Sequence, residues 1–165
     1  MVIKKKMEAA INKQINAELY SGYLYFAMGA NFETQNFKGF AQWMYVQAQE
    51  EYGHAMKLYK YVIDRGGKVT LEAIEKPKTE WATPQDAFEE AYAHEQKVTE
   101  MINSLVEVAK AENDNASQVM LQWFVNEQVE EEASSSEIVE KLKMIKGAPQ
   151  GLFMMDHALG ERKAG

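Results

Sequence analysis

The chain contains no cysteine among its 165 residues. That removes disulfide staples and thiolate metal sites together, so any metal must be held by oxygen and nitrogen ligands. Proline is scarce, at three residues, which leaves long segments free to run as uninterrupted helix. No apolar run approaches the roughly 18 residues that a membrane span needs. The opening Met1-Val-Ile-Lys-Lys-Lys-Met-Glu also lacks the apolar stretch of a signal peptide, so the expected location is cytoplasmic. Basic charge is in deficit: 18 Lys and Arg stand against 25 Asp and Glu, a net charge of −7. That balance disfavours nucleic acid as a partner and suits cations.

What the chain has in quantity is helical periodicity. At this length a single all-α domain over residues 1–165 is expected. Apolar residues recur in steps of three and four, predicting helices at about 4–33, 36–66, 84–112, 115–146 and, shorter, 149–160. Thr83-Pro84-Gln85-Asp86 supplies a capping hydroxyl, a proline at the first position and an acid in the first turn. Asn113-Asp114-Asn115 is a tight polar turn, and Asn36 is the expected cap of the second helix. Between helices two and three lies a long connection. An extended segment of about 16 residues spans roughly 50 Å, and a helix of about 30 residues is roughly 45 Å long. The connection is therefore able to run the length of a bundle and leave its flanking helices parallel. Val69, Leu71, Ile74 and Trp81 are its candidate anchors. The tail Glu161-Arg-Lys-Ala-Gly reads as polar and loose.

Each long helix breaks its apolar seam near mid-length with polar residues. The first seam is Ile11, Ile15, Glu18, Gly22, Tyr25, Gly29, Phe32; the second is Phe40, Met44, Gln47, Glu51, His54, Leu58, Tyr61. The third carries Glu95 between Ala91 and Val98, and the fourth carries Gln128 and Glu131 between Phe124 and Ser135. A lone Glu-x-x-His is common, and a single seam glutamate can be a snorkelling side chain. Four such breaks on four successive helices are a different matter. Antiparallel packing brings mid-points to one level, where Glu18, Glu51, His54, Glu95, Gln128 and Glu131 converge. The four carboxylates carry about −4 when ionised, which two divalent cations neutralise. Tyr25 follows Glu18 on the same seam, where it can hydrogen-bond the site or act as a redox neighbour. Glu50, Glu127 and Glu130 lie beside the seam, either as solvated acids or as a third cation site. His94 and His157 fall off the seams and read as structural or exposed.

The segments Glu18-Leu-Tyr, Gln49-Glu-Glu-Tyr-Gly-His54, Tyr92-Ala-His-Glu95-Gln and Leu121-Gln-Trp-Phe-Val-Asn-Glu-Gln-Val-Glu-Glu131 together resemble the bacterial and archaeal non-haem ferritins. The resemblance covers nearly the whole chain. It implies a ferritin-like four-helix bundle, with a long crossover between helices two and three and a short fifth helix. It also implies a hollow 24-subunit shell with a ferroxidase centre inside each bundle. Glu18, Glu51 and His54 would hold a first iron. Glu51 would bridge to a second, held by Glu95 and Glu131 with Gln128 near the bound oxygen species. Glu50, Glu127 and Glu130 would match a third iron position. Two departures from relatives matter. Where bacterioferritins carry a second Glu-x-x-His, this chain has Gln128-x-x-Glu131. Where they place a haem-binding Met after the bridging Glu, it has Tyr52, so no haem is expected.

The expected activity is iron storage and detoxification: Fe(II) is oxidised to Fe(III) with O2 or H2O2 and the product is deposited as mineral. The alternatives are a di-iron peroxidase or oxidoreductase acting on a small substrate, and a bundle whose acids are merely solvated. Tyr20, Tyr23, Leu24 and Phe26 on the first helix, and Leu152, Met155 and Leu159 on the last, exceed what one bundle buries. That surplus favours a homo-oligomer.

Overall fold

The computed structural model describes residues 1–165, with five helices and no strand: α1 Lys5–Thr34, α2 Lys38–Asp64, α3 Pro84–Ala111, α4 Asn115–Ile145 and α5 Pro149–Gly160. The all-α class, the four long helices and the short fifth are those expected from the periodicity. Helices α1 and α2 form one tightly joined pair and α3 and α4 another; α5 packs mainly against α2.

Local side chains cap the starts of two helices. The Thr83 hydroxyl accepts from the Asp86 N–H at 3.1 Å and starts α3, with Pro84 at the first helical position. The Asp114 carboxylate accepts from the Ser117 N–H at 3.0 Å and starts α4. The second helix departs from expectation. Asn36 is not its cap but a left-handed residue, with φ 63°, that turns the chain out of α1. The cap position falls to Phe37, which has no capping side chain. The missing acceptor comes from the far end of the chain: Asp156 Oδ1 of α5 accepts from the Phe40 N–H at 2.8 Å. A carboxylate there satisfies an orphan donor and suits the positive end of the helix dipole.

The crossover climbs along α1. Asn12 donates to the Lys68 carbonyl at 2.9 Å and accepts from the Thr70 N–H at 2.9 Å. One turn on, Asn16 donates to the carbonyls of Glu72 and Ala73 at 3.3 and 3.2 Å. At the other end of α1, Asn31 and Gln35 both donate to the Trp81 carbonyl, at 3.3 and 2.8 Å. Amide side chains thus replace the sheet or helix ladder that an extended segment lacks. Among the expected apolar anchors, Trp81 is buried, Val69 and Ile74 are half-buried and Leu71 is exposed. The path returns the chain to the start of the bundle, so α2 and α3 run parallel.

The core is split in two. One cluster gathers Phe32, Phe40, Met44, Phe88 and Leu142 with their neighbours; the other gathers Ile11, Ile15, Leu58, Ile102, Leu121 and Phe124. The polar mid-helix residues occupy the level between them. Leu24, read from sequence as an outer-face residue, is buried in the first cluster, whereas Tyr23 and Phe26 are half exposed. The difference arises because α1 faces α2 and α3 together, so its buried sector is wider than one seam.

Gly39 marks the closest approach of α5 to α2. A Cβ there would lie 1.7 Å from the Asp156 carbonyl oxygen, a backbone atom that can retreat only if α5 moves. Gly39→Ala is therefore expected to lift α5 off α2, break the Asp156 cap and cost about 1–3 kcal/mol. Urea unfolding monitored by helical circular dichroism checks this; unchanged stability would mean that α5 is only loosely seated.

Candidate metal centre

The four helix mid-points deliver their polar groups to one level because each sits on a buried seam. Glu18, Glu51, Glu95, Gln128, Glu131 and His54 are all buried, the acids and the glutamine to between 1% and 7% exposure. Three sets of potential ligand atoms lie within 4.8 Å of one another: Glu18, Glu51 and His54; Glu51, Glu95 and Glu131; and His54, Glu127 and Glu131. Glu51 belongs to the first two sets, so it stands between two adjoining positions. His54 belongs to the first and third. Its Nδ1 lies 3.2 Å from Glu51 Oε2 and 3.9 Å from Glu18 Oε2, while Nε2 lies 3.8 Å from Glu127 Oε1.

The carboxylates are aimed by neutral donors. Gln14 Nε2 donates to Glu18 Oε1 at 3.1 Å. Gln47 Nε2 donates to Glu51 Oε1 at 3.0 Å and to Glu131 Oε2 at 2.5 Å. Gln128 Nε2 donates to Glu95 Oε2 and to the Glu95 carbonyl, both at 3.2 Å. The Tyr25 hydroxyl, fully buried, donates to Glu95 Oε1. Glu18 Oε2 is buried without any partner. An acceptor in that state costs about 1–3 kcal/mol unless something binds it. Oxygen and imidazole ligands with one orphaned carboxylate oxygen fit a divalent transition metal.

Burial and mutual repulsion raise the affinity of these acids for protons. Glu51 is pushed well above the ordinary carboxyl range by burial first and then by Glu95 and Glu18. Burial pushes Glu95 up to about 7, against the opposing hydrogen bonds from Tyr25 and Gln128. Glu131 is pushed up to about 8 by burial and the Glu95 charge. Tyr25 is held well above its usual value by burial and the carboxylate of Glu95, so it is a neutral donor.

The outer acids behave differently. Glu127 reaches the centre through His54 and Glu131, but Glu50 and Glu130 belong to none of the three ligand sets. Glu130 is exposed. Glu50 Oε2 accepts from the Arg162 guanidinium at 2.9 Å. The tail expected to be loose is therefore tied down at Arg162. His94 is half-buried and lies 2.7 Å from the Ser21 hydroxyl, and His157 is exposed.

Sequence reasoning missed Gln14 and gave Gln47 no role beyond its place on the seam. Both stand four residues before a glutamate of the buried layer, at Gln14–Glu18 and Gln47–Glu51, a spacing at which helix side chains meet. That repeated pair was the available signal.

The fold has close counterparts. The Ferritin-like domain family model matches residues 8–145. A bacterial non-heme ferritin of Bacteroides fragilis is 44% identical over 161 residues, covering 98% of this chain and 100% of that one. One from Escherichia coli is 35% identical over 158 residues, covering 96% of each chain. Among solved structures, an open-pore ferritin from the hyperthermophilic archaeon Archaeoglobus fulgidus superposes with a TM-score of 0.97 at 50% identity, over 98% of this chain and 99% of that one.

The raised pKa values have a measurable consequence. A carboxyl that holds its proton more tightly folded than unfolded stabilises the fold fully below its unfolded value near 4.5. That contribution is lost as pH rises through the folded values of about 7 and about 8. Metal-free protein is therefore expected to melt at a lower temperature at pH 8.5 than at pH 5.5, by a few degrees or more. A divalent cation should remove the loss by replacing the protons, with proton release on binding near pH 6.5. Calorimetry in buffers of different ionisation enthalpy checks both; binding without proton release would contradict the site's electrostatics.

Proposed function

The chain belongs to the ferritin family, among the non-haem ferritins of bacteria and archaea, and on that premise we propose that it stores and detoxifies iron through a ferroxidase reaction inside each bundle. The observation that carries this reading is the buried mid-bundle layer, above all the orphaned Glu18 Oε2 beside Glu51 and His54. Iron is the substrate. Glu18, Glu51 and His54 bind one Fe(II). Glu51 bridges to a second, which Glu95 and Glu131 hold, with Gln128 as a neighbouring amide and Tyr25 as the hydroxyl that keeps Glu95 in place.

Two Fe(II) ions give up one electron each. Together they reduce O2 to the level of H2O2 with uptake of two protons, or cleave H2O2 to the level of water. The carboxylates stabilise the growing positive charge of Fe(III), and the bridge keeps both ions within reach of one oxidant. Ferric product then hydrolyses and passes to a mineral in the cavity of a homo-oligomeric shell of 24 subunits. Glu127, with Glu50 and Glu130, forms a flanking position for a third iron. Exposed Tyr23, Phe26, Phe153 and Met154 supply apolar surface for contacts between subunits. No helix is long and apolar enough to cross a membrane.

Glu51→Ala removes the one carboxylate shared by both iron positions. It should slow Fe(II) oxidation by at least about tenfold, the scale on which even outer partners of a metal act, while the helices stay folded. Stopped-flow absorbance of Fe(III) formation reads this, and wild-type rates would sink the assignment. Sedimentation of the wild-type protein after aerobic Fe(II) addition tests storage. A very large particle with far more iron than two ions per chain supports it. A small species that retains two irons supports the small-substrate oxidoreductase instead.

A further inference from the structure

The C-terminal tail reaches the rim of the centre through a single side chain. Arg162 Nη2 donates to Glu50 Oε2 and to Gln47 Oε1, each at 2.9 Å, and Nη1 donates to the Trp43 carbonyl at 3.2 Å. The guanidinium also lies over the Trp43 ring, 4.4 Å from its centroid. Gln42 holds the backbone in place by donating to the Arg162 carbonyl at 3.3 Å. Beyond it, Ala164 and Gly165 line the same cleft as Glu50, His54, Lys57 and Glu127.

This contact determines which way the Gln47 amide faces. A guanidinium only donates, so the Gln47 atom beside it must be the carbonyl oxygen. The amide nitrogen then points inward, where it donates to Glu51 Oε1 and Glu131 Oε2. A flipped amide would set nitrogen against guanidinium and oxygen against two carboxylates. One residue on the tail therefore orients two carboxylates of the centre that it never touches. The same Nη2 atom also occupies Glu50, the acid that a flanking cation would need.

We propose that Arg162 is a positioning residue with two opposed effects: through Gln47 it sharpens the iron position at Glu51 and Glu131, and through Glu50 it competes with a cation in the flanking cleft. This rests on the iron reading above. The flanking position fills when a cation displaces the guanidinium, and that displacement also frees Gln47. Occupancy outside the centre is thereby coupled to the geometry of the carboxylates within.

The test is an oxygen-free titration of the full-length assembled protein with Co(II), followed by calorimetry and by visible absorption. Arg162→Met keeps an unbranched apolar stem but none of the donors or the charge. The proposal expects cation binding at Glu51 and Glu131 to weaken by about three- to tenfold, while binding in the flanking cleft tightens by a similar factor. Arg162→Lys keeps an ammonium close to the Nη2 point and should restore most of the wild-type pattern. A chain ending at Glu161 should reproduce the Arg162→Met signature, which guards against a folding defect peculiar to one variant. Unchanged Co(II) affinities in both would overturn the proposal. So would a shift of all equivalents in one direction, the mark of general loosening. If the wild-type protein itself binds no Co(II) among its buried acids, the iron reading falls and takes this with it. If the wild type binds and the variants match it, only the role of Arg162 is lost.

Discussion

Acids placed between two apolar clusters are the constraint on which the molecule turns. Glu18, Glu51, Glu95 and Glu131 sit where a helical bundle would ordinarily place leucine. No lysine or arginine pairs with them; the basic side chain within 4 Å of Glu18 and Glu51 is the His54 imidazole. Their orientation comes from Gln14, Gln47, Gln128 and Tyr25, all neutral donors. A neutral donor fixes the direction of a carboxylate oxygen and leaves most of its charge uncompensated. An arginine in the same place would be a permanent counterion, and a metal would have to expel it. Arg162 is kept one step away, at Glu50. Stability has to come from the clusters above and below, which explains the dense aromatic packing of Phe32, Phe40 and Phe88 at one end of the bundle.

The burial of the mid-helix polar residues was legible in the sequence because periodicity reports which face of a helix is buried. Once Glu51 and His54 fall on the face that carries Met44 and Leu58, burial follows, and four helices repeating the pattern near mid-length leave little freedom about where the groups meet. The direction of the crossover was legible for a different reason, since segment length and helix length are simple arithmetic. Periodicity is silent about partners far apart in sequence. It could not show that Asn12 and Asn16 hold the crossover backbone, or that Trp81 is the crossover's buried anchor and Leu71 is not. Leu24 went astray because one seam was allotted to a helix that has two neighbours. Arg162 sits in a polar tail whose composition resembles that of a disordered end, and only a folded α2 provides the Trp43 carbonyl and the Gln47 amide that hold it.

Likeness to known ferritins and the physical reading of the site support each other at different levels. The likeness spans 98% of the chain at 44% identity to the Bacteroides fragilis protein, which settles family and fold. It does not say why a glutamine stands four residues before each of the buried Glu18 and Glu51. The hydrogen bonds do: each amide sits one helical turn before its carboxylate and steers one oxygen, leaving the other turned toward the centre or toward His54.

The cap on α2 has a consequence for how the protein is made. Phe40 and Asp156 are 116 residues apart, so the start of the helix that carries Glu51 and His54 is exposed on the ribosome while the remaining helices are still being synthesised. At roughly 5–20 residues per second that interval lasts some seconds to tens of seconds. During it, α1 and α2 can pair, but the first turn of α2 has water in place of the Asp156 carboxylate. The residue that closes it emerges 116 residues later. The start of α2 is thus capped only once α5 has been made, and a chain released before α5 keeps Glu51 and His54 but leaves α2 uncapped.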